Sequence, residues 1–176
     1  MHFIVLCGGD SVERAVSLRS GERVTVGLRE RGHTAELLRI GALPPPALLP
    51  LLSRADAVFL ALHGGAGEDG RLQRYLEENG ISHYTGATPD AAALAMQKDA
   101  AKAAVRAAGV AVAPGTVWNP GDNAPSLTFP AVITPLCGGS SVGVCFLEDR
   151  AQLEACTVTE SMLCEPYLSG DRKSVV

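Results

Sequence analysis

The apolar run Phe3-Ile4-Val5-Leu6-Cys7 ends abruptly at Gly8-Gly9, and the polar residues Asp10, Ser11 and Glu13 follow at once. A run without polar alternation belongs to a strand covered on both faces, the habit of parallel sheets, and parallel neighbours need helical crossovers. The next segments supply them. Ser17 to Arg31 carries Leu18, Val24 and Leu28 at helical spacing and stops at Gly32. Glu36 to Ile40 and Ala57 to Leu62 read as two further strands, separated by the stiff Pro44-Pro45-Pro46 connector and a short helix. Gly70 to Asn79 reads as a helix stopped by Gly80, and Ile81 to Tyr84 as a short strand ending at Thr85-Gly86. This alternation predicts a doubly wound parallel α/β sheet.

The pattern changes after Gly86. Pro89 to Ala108 is alanine-rich, opens on a proline and is followed by Gly109, which predicts one long helix. Beyond Pro114, Ala131 to Thr134, Val142 to Leu147 and Met162 to Tyr167 read as short strands, with a helix near Asp149 to Ala155. The expected division is an α/β domain over residues 1–87 and a small α+β domain over residues 88–176.

Composition removes several function classes. A net charge of −4 without a Lys/Arg cluster leaves no track for a nucleic-acid backbone. No apolar run of about 18 residues predicts a membrane span, and Met1-His2-Phe3-Ile4-Val5-Leu6 lacks the basic region and cleavage site of a signal peptide, so a cytoplasmic protein is expected. Five cysteines, an odd number without C-x-x-C spacing, predict reduced thiols and no metal site, with Cys137 the thiol whose loop position favours reactivity.

Three stretches carry chemistry. Glu13 follows a glycine turn at the carboxyl end of the first strand, where open α/β sheets bind ligands, and its carboxylate could hold an ammonium; Asp10, Ser11 and Glu13 could equally cap the following helix. His63, in His63-Gly64-Gly65-Ala66-Gly67-Glu68-Asp69-Gly70, lies on the same sheet edge and could position a carboxylate, orient Glu13 or serve as hydrogen-bonded structure. Glu68 and Asp69 also suit the start of a helix. Gly138-Gly139-Ser140-Ser141 combines close backbone approach with hydroxyl donors, which suits phosphate or a plain turn.

Together the stretches resemble the D-alanine–D-alanine ligase family of ATP-grasp enzymes. The resemblance rests on Gly8-Gly9-x-Ser11-x-Glu13-Arg14-x-Val16-Ser17-Leu18-x-Ser20-Gly21, then His63-Gly64-x-x-Gly67-Glu68-Asp69-Gly70-x-Leu72-Gln73, Tyr84-Thr85-Gly86, Met96-x-Lys98 with Lys102, and Gly139-Ser140-Ser141-Val142-Gly143. It implies that Glu13 holds the amine of the first D-alanine and acts with Ser140 around that substrate, and that His63 belongs to the same pocket. It implies ATP phosphates at Lys98 and beneath a lid loop of Gly138, Gly139, Ser140 and Ser141, with Glu165 and Leu168 in the adenine pocket. The family activates the first D-alanine carboxylate as an acyl phosphate, which the second amine attacks, in peptidoglycan precursor synthesis. ATP, magnesium and a homodimer through the first domain are the implied partners.

The sequence departs from the family on the nucleotide side. Thr134 stands where the family has a lysine, Pro166 where it has another, and Arg172 where it has a ribose-contacting glutamate. The family's magnesium ligands and transition-state arginine lie in a third domain that the motifs do not reach. The expectation is a ligase homologue that does not turn over as this chain alone, with two alternatives: a degenerate non-catalytic binding or regulatory module, which the three substitutions favour, or a fragment of a longer active ligase. Apolar surface around Val142, Val144, Leu163 and Leu168, and strand-like Ser174-Val175-Val176, are expected to promote association.

Overall fold

The computed structural model describes residues 1–170 and divides into two compact units, Met1–Met96 and Gln97–Val176. The first unit runs β1 (His2–Gly8), α1 (Arg14–Glu30), β2 (Thr34–Ile40), a 3₁₀ turn into α2 (Leu49–Leu52), β3 (Ala57–Leu60), a 3₁₀ turn over Gly65–Gly67, α3 (Arg71–Glu78) and α4 (Pro89–Met96). Its sheet has the order β2-β1-β3, all parallel, with Val5 between Leu37 and Phe59. Alternate residues of β1 enter two cores. Ile4 and Leu6 pack with Leu52, Val58, Leu72 and Leu76 on one face, whereas Val5 and Cys7 meet Leu18, Val24 and Leu28 of α1 on the other. Both faces are covered, as the doubly wound prediction requires.

Helix α1 turns its small residues to the sheet. Ser17, Gly21 and Thr25 are its buried residues, spaced by four, and a Cβ at Gly21 would stand 2.6 Å from the Cβ of Cys7. Burial pushes the Cys7 thiol above its ordinary value. The predicted strand Ile81–Tyr84 reduces to one parallel bridge between Tyr84 and Val58. Val58 N–H donates to His83 O and Thr85 N–H to Val58 O, but the next donor, Leu60 N–H, is taken by the Thr85 hydroxyl at 3.0 Å, which ends the ladder.

The second unit contains α5 (Lys98–Ala107), β4 (Thr116–Trp118), β5 (Ala131–Pro135), β6 (Cys145–Leu147), α6 (Arg150–Ala155) and β7 (Met162–Pro166). The sheet order is β4-β7-β5-β6, entirely antiparallel. Trp118, Ile133, Leu147, Leu153, Met162 and Cys164 form its core. Asp149 caps α6, its Oδ1 accepting from Gln152 N–H at 2.9 Å.

Three expectations need correction here. The single helix over Pro89–Ala108 is two helices, because Gln97 is extended at ψ 104° and bridges Cys137, while Lys98 N–H donates to Leu136 O. Strand β6 starts at Cys145 and not at Val142, since Ser140, Ser141 and Gly143 take positive φ and Val142 N–H turns back to Gly139 O. Leu163 is 3% exposed and supplies no surface patch, although Val142, Val144 and Leu168 are exposed. Arg172 and the expected terminal strand Ser174-Val175-Val176 lie outside the described residues. Among the described residues no helix is long and apolar enough to cross a membrane.

Candidate functional site

The first unit gathers its polar groups where β1 and β3 end. Ser17, fully buried on α1, accepts from Gly8 N–H at 2.8 Å and donates to Ala61 O at 2.7 Å, so one hydroxyl ties together the ends of neighbouring strands. Arg14 Nη1 donates to Gly9 O at 2.6 Å and Ile40 O at 3.1 Å and holds the glycine turn over the sheet edge. Ser11 donates to His63 O at 2.6 Å and accepts from Glu13 N–H at 3.1 Å. The Glu13 carboxylate thereby comes against Gly64, where φ is +65° and any Cβ would stand 2.9 Å from Glu13 Oε2 and 3.1 Å from Ser11 Oγ. Glycine satisfies both the backbone conformation and the space.

His63 is half-buried beside them. Its Nε2 shares a 3.0 Å hydrogen bond with Ser20 Oγ, and its Nδ1 lies 3.9 Å from Glu68 Oε1, too far for a hydrogen bond. The loop that carries His63 and Glu68 is secured by Gln73, whose buried amide donates to Gly67 O at 3.0 Å. Glu13 and His63 thus belong to one cluster at the carboxyl ends of β1 and β3, the edge at which open α/β sheets generally bind ligands. Ser17 and Ser20 are the parts that the sequence reading left without a role; serines three apart on a helix that also carries Gly21 mark the face meeting the sheet.

In the second unit the Gly138–Ser141 loop leaves the end of β5. Gly138, Ser140 and Ser141 all have positive φ, and Ser140 and Ser141, at 54° and 58°, form a left-handed pair of the kind that turns successive amides to one side. Lys98 Nζ donates to Pro135 O at 2.7 Å and Gly138 O at 2.8 Å, so this cation holds the stem of the loop. Glu165 is paired with Lys102 beneath Gly115, where a Cβ would stand 3.1 Å from Lys102 Nζ. Cross-strand register puts Thr134 opposite Leu163 and Val132 opposite Glu165, so Thr134 and Glu165 lie on one sheet face. Thr134 Oγ1 is buried there with no hydrogen-bond partner. Leu168 is exposed at the end of the segment after β7. Among the described residues no group of three or more His, Cys, Asp or Glu could hold a metal ion.

No family model matches the chain. Curated relatives do. The chain is 40% identical over 178 residues to the D-alanine–D-alanine ligase of Methylorubrum extorquens (strain PA1), which spans 96% of this chain and 57% of that protein. It is 37% identical over 182 residues to the D-alanine–D-alanine ligase of Aquifex aeolicus (strain VF5), covering 97% of this chain and 60% of that one. The chain belongs to the D-alanine–D-alanine ligase family. It spans less than two thirds of the length of these ligases.

Solved structures agree on the fold. A D-alanine–D-alanine ligase from Bacillus anthracis matches with TM-score 0.78 and 29% identity over 97% of this chain and 58% of its own, and the same ligase complexed with ATP matches with TM-score 0.77 and 27% identity. The expected fold class holds: a doubly wound parallel domain followed by the small α+β domain of the ligase fold.

Proposed function

We propose that this chain is the substrate-binding and lid portion of a D-alanine–D-alanine ligase, with residues 1–87 holding the first D-alanine and residues 88–176 holding ATP. Glu13 takes the ammonium of D-alanine, and His63, held by Ser20, meets the carboxylate. Lys98 fixes the stem of the Gly138–Ser141 loop, whose backbone amides and Ser140 and Ser141 hydroxyls receive phosphate oxygens. Glu165 and Leu168 line the adenine pocket. The activity served is ATP-dependent dipeptide ligation through an acyl phosphate, in the cytoplasm, for peptidoglycan precursors. Such chemistry depends on positioning and on charges placed in advance. The first domain forms a homodimer, and magnesium accompanies ATP as expected of the family.

One observation carries this reading: the Glu13 carboxylate lies over Gly64, within the loop that also presents His63. A helix cap alone would not explain it, because the Glu13 side chain makes no cap hydrogen bond to α1. A second reading, a binding module that has lost catalysis, is favoured by Thr134. The hydroxyl that replaces the family's lysine is buried and unpartnered on the Glu165 face.

Calorimetric titration with D-alanine, with L-alanine as control, tests the first reading. D-alanine should bind in preference to its enantiomer, and Glu13→Gln should weaken it by a factor of 10 or more, the loss of a charge-assisted hydrogen bond of roughly 1.5–3 kcal/mol. Equal binding of both enantiomers, or a Glu13→Gln variant that binds like the parent, overturns it. Dipeptide formation with ATP and magnesium then separates a working ligase from the non-catalytic module.

A further inference from the structure

The sheet face opposite Glu165 carries a cavity of about 240 Å³ that none of the proposed ligand contacts uses. Its floor is formed by Ile133 and Cys145, and Cys156 and the residues that follow α6 form one wall. Ile133 pairs in register with Cys145 on one side and Cys164 on the other, so all three side chains share this face. The three thiols are differently placed. Cys164 is buried, and burial, reinforced by Cys156 and Glu165, pushes its thiol up to about 11, which keeps it protonated and unreactive. Cys145 is exposed at the start of β6, and Cys156 is part-exposed at the C-cap of α6. They are close enough that a charge on Cys145 opposes ionisation of Cys156, whose thiol burial already raises. Cys137, also exposed, belongs to the bridge with Gln97 and does not line the cavity.

We propose that Cys145 and Cys156 are a redox pair that closes to a disulfide across the rim of this cavity when the protein meets hydrogen peroxide. The more exposed Cys145 reacts first. Its sulfur attacks a peroxide oxygen, the O–O bond breaks, and one water leaves with the thiol proton, giving a sulfenic acid. Cys156 sulfur then attacks the Cys145 sulfur, the S–O bond breaks, and the departing hydroxide takes the Cys156 proton as a second water. The two thiols lose two electrons and two protons, and the peroxide is reduced to water. Such a bridge ties the first residue of β6 to the end of α6. Strand β6 follows the Gly138–Gly143 loop directly, and Gly143 packs so tightly on Pro135 that a Cβ would stand 2.8 Å from its Cγ. Oxidation therefore restrains the attachment of that loop, whatever ligand the loop covers. A transient bridge of this kind is the form that disulfides take in reducing compartments.

The test is oxidation of the full chain with equimolar hydrogen peroxide, followed by alkylation of remaining thiols under denaturing conditions and peptide mapping by mass spectrometry. The expected product is a monomer with one crosslink, Cys145 to Cys156. Cys156→Ser should leave Cys145 as a sulfenic acid trapped by dimedone, Cys145→Ser should leave Cys156 open to alkylation, and Cys137→Ser should crosslink like the parent. Tryptophan fluorescence checks that each variant is folded. A dominant crosslink through Cys137, a dominant interchain crosslink, a sulfinic acid on Cys145 with Cys156 alkylated, or full alkylation of both thiols overturns the proposal.

Discussion

Lys102 and Glu165 form an ion pair in the second unit with side chains 18% and 25% exposed, close under Gly115. Both ends are largely withdrawn from water, so removing one partner leaves a poorly solvated charge. Lys102→Met should destabilise the second unit by about 1–3 kcal/mol, less than a fully buried pair because water still reaches both groups. The double variant Lys102→Met with Glu165→Leu should recover much of that loss. Urea unfolding followed by Trp118, the sole tryptophan and part of the second core, reads both. A single variant as stable as the parent would show that the pair contributes nothing.

Ser17 joins β1 to β3 through one hydroxyl. Replacing it with alanine strands Gly8 N–H and Ala61 O in a buried place, at a cost of about 2 kcal/mol. Amide exchange at Gly8 should accelerate, and the urea midpoint of the first unit should fall. Unchanged exchange at Gly8 in Ser17→Ala would mean that another group satisfies the amide.

Thr134 has the opposite sign. Its buried hydroxyl has no partner, so Thr134→Val removes an unsatisfied group and should leave the second unit unchanged or stabilise it by up to about 1 kcal/mol. Thr134→Lys should tighten ATP binding by placing a cation on the Glu165 face. Calorimetry showing weaker ATP binding by Thr134→Lys would separate that face from the nucleotide.

Cys164 makes stability depend on alkaline pH. Its thiol is raised from 9.0 to about 11, with burial the main cause, so the folded state holds this proton more tightly than the unfolded chain. The contribution is complete below about pH 9 and is lost as pH rises towards 11, amounting to at most about 3 kcal/mol. The urea midpoint should therefore fall between pH 9 and 11. Cys164→Ala should lower the midpoint at neutral pH but flatten this slope, and an equally steep decline in that variant would assign the pH dependence elsewhere.

The first unit was largely legible in the sequence because its signals are local and strong. An uninterrupted apolar run such as Phe3–Cys7 has few alternatives to a covered strand, and Gly32 and Gly80 end their helices where they were expected to. The second unit was less so. Strand β4 is three residues long and owes its existence to Thr116–Trp118 pairing with β7, information that lies far away in the chain. Alanine propensity runs through Gln97, but the bridge to Cys137 overrides it. At the site, Glu13 and His63 were readable from their positions at strand ends. What joins them is a glycine whose missing side chain makes room for the carboxylate, and no periodicity announces that.

The division at Gln97 has a consequence for how the chain comes into being. Strands β1, β2 and β3, the helices that cover them and the residues that bring Glu13 to His63 all precede that point. During synthesis the amino-terminal half can condense around its own cores while the ribosome is still adding the residues of the other half. The cluster of Glu13 and His63, the proposed amino-acid pocket, would then exist on the nascent chain before the loop proposed to meet the nucleotide has been translated.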